Sequence, residues 1–134
     1  MAKLEKVEGI GSRYAGDLRK AGVRSTAALL EKGATPRGRK GIAAASGISE
    51  KLILEWVNHV DLFRVKGVGE EYADLLEEAG VDTVVELAQR KPENLVESIQ
   101  AANAKKRLVR RPPSLKMVRD WAAQAKKLPR KVSY

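Results

Sequence analysis

Apolar residues recur every three or four positions along most of the chain, which is the spacing of one face of an α-helix. Two stretches show this spacing most clearly, and each contains a tryptophan: Ile48, Leu52, Ile53, Trp56, Val57, Val60 and Phe63 in the first, and Met117, Val118, Trp121, Ala122, Ala125 and Leu128 in the second. No run alternates apolar and polar residues, and no turn dipeptide separates two apolar segments, as a β-hairpin would require. The pattern therefore predicts an all-α protein.

Glycine and threonine residues mark where several of these helices begin and end. Helices are predicted over 12–21 and 70–79, because each is followed by a glycine, Gly22 or Gly80, where a left-handed C-cap is favoured. Thr83 and Glu86 form a capping-box pair that starts a further helix near 84–90. Lys91-Pro92 and Thr35-Pro36 place proline at first helical positions.

The chain contains one pattern twice. VEGIGSRYAGDLRKAGV at 7–23 returns as VKGVGEEYADLLEEAGV at 65–81, a shift of 58 positions, and a shift of 65 aligns Trp56 with Trp121. Two units are too few for an open solenoid, so we expect them to pair around one pseudo-twofold core. We predict a single domain over 1–134, made of a first repeat at 1–64 and a second repeat at 65–134 that ends in a basic tail.

Both copies place two glycines around one apolar residue, directly before a helix. We call residues 7–11 the first glycine turn and residues 65–69 the second glycine turn. Glycine accepts positive φ and allows close backbone approach, so a tight turn with its apolar residue inward is expected. Such a turn presents amide N–H groups at a helix N-terminus, which suits an anion such as phosphate.

The repeated pattern resembles the helix-hairpin-helix motif of many DNA repair and recombination proteins. With GATPRGRK, GISEKLILEWV and VRRPPSLK in the same order, nearly the whole chain is similar to a tandem helix-hairpin-helix family catalogued as a domain of unknown function. The resemblance implies two pseudo-repeated units of the SAM and helix-hairpin-helix type, packed into one compact helical domain. It also implies that hairpin amides contact a phosphate backbone, assisted by a cation two residues after the last glycine.

The two copies differ at that assisting position. Arg13 occupies it in the first copy, whereas Glu71, preceded by Glu70, occupies it in the second. Carboxylates repel phosphate and compete for the amides, so Gly67, Val68 and Gly69 are expected to form a poor phosphate site. The alternative is that both turns are structural only.

Charge is distributed unevenly. The chain has a net charge of +9; residues 1–64 hold 12 Lys and Arg against 7 Asp and Glu, residues 65–100 hold 3 against 9, and residues 101–134 hold 11 against 1. A net positive charge favours a polyanionic partner. The alternative is that these basic residues are solvated at helix ends and in a frayed tail. Residues 36–40 form another basic patch, where Gly38 and Gly41 weaken the helical pattern and a flexible loop is expected.

Other classes of function find little support in the sequence. Cysteine is absent and His59 is the one histidine, so no metal site is expected, and no cofactor motif is found. The sequence has no phosphate-binding P-loop, nucleophile elbow or cluster of catalytic carboxylates, and we therefore predict no enzymatic activity. No apolar run is long enough to cross a membrane, so a cytoplasmic protein is expected.

We therefore expect sequence-independent binding of a DNA or RNA backbone by a monomer or homodimer. The alternative is a protein-interaction or assembly module. The residues predicted to contact nucleic acid are Gly9, Ile10, Gly11, Ser12 and Arg13 of the first copy, and Arg37, Arg39, Lys40, Lys105, Lys106, Arg107, Arg110 and Arg111 of the basic segments.

Overall fold

The computed structural model describes residues 3–7 and 9–134, and across them it is helical with no β-strand. Met1, Ala2 and Glu8, which belong to the predicted first repeat, lie outside the described residues. A 3-10 helix at Leu4–Lys6 is followed by α1 (Ser12–Lys20), α2 (Thr26–Gly33), α3 (Pro36–Ser46), α4 (Glu50–Leu62), α5 (Glu70–Glu78), α6 (Val84–Gln89), α7 (Pro92–Lys106) and α8 (Leu115–Lys127). The all-α prediction is confirmed. None of the described helices is both long enough and apolar enough to cross a membrane.

The chain divides into two compact units near the end of α4. The first unit runs to Asp61 and includes Arg130–Tyr134, and the second unit is Leu62–Pro129. The predicted division lay between residues 64 and 65, with the basic tail assigned to the second half. The structure instead places residues 130–134 in the first unit.

Five helices begin where the sequence predicts, namely α1, α3, α5, α6 and α7, and side-chain caps fix the first turns of α3 and α6. The side chain of Thr83 accepts a hydrogen bond from the amide of Glu86 at 3.1 Å, and that of Thr35 accepts one from the amide of Gly38 at 3.0 Å. Ser114 caps α8 in the same way, through the amide of Met117. Such caps satisfy amides that have no partner within the helix.

Each unit has its own apolar core. In the first unit α1 packs against α3 and α3 against α2, while Leu18, Leu29 and Ile53 are fully buried. In the second unit α8 packs against α6 and α7, and α7 packs against α5. Trp121 lies in the core of the second unit and is 2% exposed, and Trp56 of the first unit is 3% exposed. Both tryptophans are therefore buried, as their helical spacing predicts.

Residues 130–134 are attached to the first unit by a mixture of apolar and polar contacts. Val132 is buried, and the amide of Ser133 donates to the carbonyl of Ala34 at 2.8 Å. Lys131 pairs with Glu31 at 2.7 Å, although this ion pair is exposed and contributes little on its own. The segment therefore forms part of the first unit.

The expectation of a flexible loop at 36–40 is wrong, because these residues form the first turns of α3. Gly38 is not a helix breaker at this place. A Cβ atom at Gly38 would overlap the carbonyl oxygen of Lys32 at the end of α2, so the missing side chain permits the two helices to meet. Gly41, one turn further along α3, has open space around it. The two glycines thus have different roles in one helix.

We predict opposite effects of alanine at these two glycines. Gly38→Ala should destabilise the protein by about 1–3 kcal/mol, because the added methyl group forces α2 and α3 apart. Gly41→Ala should leave the stability unchanged or raise it by up to about 1 kcal/mol, because alanine is the better helix former. Urea denaturation followed by circular dichroism measures both changes. Equal effects of the two substitutions would contradict the role given to Gly38.

Candidate nucleic-acid interface

The first glycine turn is closed by one backbone hydrogen bond and one glycine of positive φ. The amide of Ile10 donates to the carbonyl of Val7 at 3.0 Å, and both side chains are buried. Gly9 has φ of 91°, a conformation that residues with a Cβ atom rarely adopt. The turn leads into α1, whose N-cap residue is Gly11.

The N-terminus of α1 has no side-chain cap. Gly11 has no side chain to accept a hydrogen bond, and the exposed residues Ser12 and Arg13 open the helix. The first amides of a helix have no partner within it, so these amides can bind an external acceptor. The first turn of α1 contains no acidic residue, and Arg13 adds a positive charge.

A tryptophan lies directly beneath the first glycine turn. A Cβ atom at Gly9 would lie 3.3 Å from the indole nitrogen of Trp56, which is tighter than ordinary van der Waals contact. Tyr14 of α1 packs on the same indole, with ring centroids 5.1 Å apart and planes inclined by 59°. The turn and the start of α1 thus have a rigid aromatic support.

The second glycine turn has closely matching geometry. The amide of Val68 donates to the carbonyl of Val65 at 3.0 Å, and Gly67 has φ of 95°. A Cβ atom at Gly67 would lie 3.0 Å from the indole nitrogen of Trp121. The ring centroids of Tyr72 and Trp121 are 5.2 Å apart, with planes inclined by 54°.

The helices that follow the two turns also end alike. Gly22 and Gly80 have φ of 89° and 93°. The amide of Val23 donates to the carbonyl of Leu18, and that of Val81 donates to the carbonyl of Leu76, each at 2.8 Å. This bond, which spans the left-handed glycine, is the Schellman ending expected from the sequence.

Charge at the start of the helix separates the two copies. Helix α5 opens with Glu70 and Glu71, both exposed, where α1 opens with Ser12 and Arg13. Acidic residues in the first turn interact favourably with the helix dipole and stabilise α5 itself. Their negative charge also opposes a phosphate at the amides of α5.

The structure places the end of the basic run 105–111 beside the first turn of α5. Helix α7 ends at Lys106, and Arg107 adopts a left-handed conformation with φ of 50°. We call residues 107–111 the arginine segment. The hydroxyl of Tyr72 donates to the carbonyl of Arg111 at 3.0 Å, so the arginine segment is held beside the start of α5.

An open recess of about 650 Å³ lies between the arginine segment and the start of α5. It is lined by the arginine segment together with Glu71, Tyr72 and Asn103. Sequence reasoning separated the acidic middle of the chain from the basic run that follows it. The fold of the second unit brings the two together.

Two amide side chains that the sequence analysis did not single out hold this region together. Asn103, which is nearly buried, donates to the carbonyl of Val109 at 3.1 Å and accepts from the amide of Val109 at 3.0 Å. In the same manner, Gln124 of α8 accepts from the amide of Lys66 at 2.8 Å and donates to its carbonyl at 3.0 Å. No local sequence signal reveals the bonds of Gln124, which span 58 residues. Asn103 binds backbone only six residues further along, just beyond the end of α7.

The basic patch on α3 contains one residue that cannot contact a ligand as predicted. Arg37 and Lys40 are exposed, but Arg39 is 5% exposed. The Arg39 guanidinium donates to the carbonyl of Gly33 at 2.9 Å and to the carbonyl of Ser133 at 2.7 Å. Arg39 therefore ties α3 to the end of α2 and to residues 130–134, and the expectation that it faces nucleic acid is corrected.

Substitution of Arg39 should affect stability, and substitution of its exposed neighbour should not. Arg39→Ala removes charged hydrogen bonds to two carbonyl groups and should cost about 2–4 kcal/mol. Arg37→Ala, in the same helix, should change the stability by less than about 0.5 kcal/mol. Thermal unfolding of the two variants measures the difference. An unchanged melting temperature for Arg39→Ala would show that these bonds do not hold the first unit together.

Comparison with known protein families gives one clear match. The family model described as Domain of unknown function (DUF4332) matches residues 8–128. No curated protein and no solved structure gives a significant match. The matched region contains both buried tryptophans, the second glycine turn and the arginine segment. The chain belongs to the family described as Domain of unknown function (DUF4332).

Proposed function

We propose that this protein binds the sugar-phosphate backbone of nucleic acid without regard to sequence and catalyses no reaction on it. The first glycine turn, with the start of α1, provides the main contact. Exposed basic residues of α3 and of the run 105–111 add further phosphate contacts. We also propose that residues 7–23 and 65–81 are two helix-hairpin-helix motifs in pseudo-repeated units.

Support for the two motifs comes from agreement in detail between the copies. Each has a backbone bond of 3.0 Å across its glycine turn, a glycine near φ of +90° and a bond of 2.8 Å across the left-handed helix end. A tyrosine and a tryptophan pack in the same tilted arrangement under each turn. Agreement at this level extends the likeness that the sequence shows.

The observation that carries the binding proposal is the start of α1. Its first residues are exposed, its N-cap is a glycine with no side chain to bind the first amides, and Arg13 lies in its first turn. The combination of amide donors, the positive end of a helix dipole and a guanidinium suits a phosphate oxygen. These groups contact the backbone and carry no information on base sequence.

The remaining basic residues favour a polyanion by a different effect. Arg37, Lys40, Lys105 and Lys106 are exposed, and each phosphate that such a side chain neutralises releases a condensed counterion. Binding that depends on this release weakens as salt is added. Tyr14 packs on Trp56, and Tyr72 packs on Trp121. These rings therefore do not provide open stacking platforms for bases.

The start of α5 supports the alternative function, a protein-interaction module. Glu70 and Glu71 are exposed at this helix N-terminus, and Glu77 and Glu78 are exposed near its other end. An acidic helix of this kind complements a basic protein surface and opposes a nucleic acid. The binding experiment below separates the two functions.

The two copies should respond differently to charge substitutions. Arg13→Glu should weaken binding of a labelled DNA duplex and reduce the slope of log affinity against log salt by roughly 0.9, because one phosphate contact is lost. Glu70→Ser combined with Glu71→Arg gives α5 the residues of α1, and it should strengthen duplex binding. Fluorescence anisotropy at several salt concentrations measures both effects.

Matched controls separate the effect of the substituted position from the effect of the change in net charge. Lys51→Glu changes the net charge as Arg13→Glu does, but at an exposed site within α4. Glu97→Arg combined with Glu55→Ser raises the net charge as the double substitution in α5 does, but at exposed sites within α7 and α4. Glu97 is preferred over Glu93, which pairs with Arg119 at 3.1 Å. If the controls change affinity as much as the turn variants, the turns are not the contact. If the parent binds no DNA or RNA at low salt, the binding proposal is wrong and the interaction module is favoured.

A further inference from the structure

The recess beside the second glycine turn is a defined feature of the second unit. Its volume of about 650 Å³ lies within the range of small-molecule binding pockets. Its outer wall, the arginine segment, is fixed at Val109 by the two bonds of Asn103 and at Arg111 by the bond of Tyr72. All three bonds use the backbone of the segment, so its arginine side chains are left to face the recess and solvent.

The charged side chains that line the recess form no ion pairs with the described residues. Arg107, Arg110 and Arg111 are exposed, and among the described residues none of their guanidinium groups forms an ion pair. Glu71 also lines the recess, and in the described part of the chain its carboxylate takes part in no ion pair. The recess thus offers several anion-binding donors and one anionic acceptor.

Such a pairing of groups favours a ligand that has both an anion and an N–H donor. A phosphate alone would be attracted by the arginines and repelled by Glu71. A nucleotide whose base has an amino group satisfies both, because a guanidinium binds its phosphate in a planar fork and a carboxylate accepts a hydrogen bond from an amino group such as N4 of cytosine. Leu108, also on the recess and 36% exposed, offers an apolar surface to the base.

A contact to the edge of a base favours an unpaired nucleotide. A base inside a duplex is stacked and paired, whereas the bases of a single strand can turn outward and present their edges to a protein pocket. We propose that the recess binds one unpaired nucleotide of a single strand, with its phosphate on the arginine segment and the amino group of its base on Glu71. This inference rests on the proposed nucleic-acid binding. It departs from that proposal in one respect, because the contacts of the first unit ignore base sequence whereas this second contact prefers bases with an amino group.

The roles of the two glycine turns then differ. The first contacts backbone phosphates through bare amides and Arg13. At the second, Glu71 excludes phosphate from the amides of α5 and provides an acceptor for a base. Glu70 and Glu71 stand at the start of α5 where Ser12 and Arg13 stand in α1. This replacement makes the phosphate site poorer and at the same time provides a carboxylate that can bind a base.

The test compares labelled single strands of twelve cytidines and twelve thymidines, because thymine has no amino group. By fluorescence anisotropy the parent should bind the cytidine strand roughly fivefold or more tightly. Glu71→Ala should abolish this preference without weakening the thymidine strand. Glu97→Ala, which removes the same charge within α7, should leave the preference unchanged. Arg110→Ala with Arg111→Ala should weaken both strands by roughly tenfold or more, because charged contacts to phosphate are lost.

The outcomes distinguish this inference from the proposal on which it rests. The substituted side chains are exposed and the hydrogen bond of Tyr72 is to backbone, so thermal unfolding should show the variants folded. Equal affinity of the parent for both strands, or a cytidine preference that survives Glu71→Ala, would overturn the inference while nucleic-acid binding stands. A parent that binds neither strand nor duplex would overturn the binding proposal and the inference with it.

Discussion

The contact between a tryptophan and a glycine fixes the geometry of each glycine turn. The indole nitrogens of Trp56 and Trp121 approach Gly9 and Gly67 so closely that a Cβ atom would lie only 3.3 Å and 3.0 Å away. The same glycines have the positive φ that closes the turn. Backbone conformation and packing therefore require glycine at the same point, and a side chain there would disturb both.

Because each turn is supported in this way, the change of charge at the start of the following helix falls on exposed positions. Buried residues correspond closely: Ile10 with Val68, Leu18 with Leu76 and Val23 with Val81. The start of the following helix is free to change from Ser12 and Arg13 to Glu70 and Glu71, because these side chains pack against nothing in the core. The same turn geometry thus presents opposite charges in the two units.

The features that the sequence predicts correctly are those decided by neighbouring residues. The glycine turns, the left-handed ends at Gly22 and Gly80, and the cap at Thr83 depend on a few adjacent positions, so local chemistry determines them. The tryptophans are predicted to be buried because their helices have an apolar face.

The errors concern contacts between different elements of the structure, which neighbouring residues do not determine. Gly38 resembles a helix breaker until the carbonyl of Lys32 is found beside it. Arg39 resembles a surface cation, although its position three residues before buried Ile42 places both on the inner side of α3. The recess could not be predicted, since it depends on Asn103 and Tyr72 binding the backbone of the arginine segment.

The attachment of residues 130–134 to the first unit has a consequence for the order of folding. These residues follow the entire second unit in the chain, and Arg39 and Ala34 bind Ser133 across separations of 94 and 99 residues. During synthesis, the first unit leaves the ribosome long before the segment that completes it, so it must exist for a time with Arg39 only partly bonded. Folding of the first unit is therefore completed only after the second unit has been translated, when a long loop closes between the region of Ala34 and Arg39 and residues 130–134.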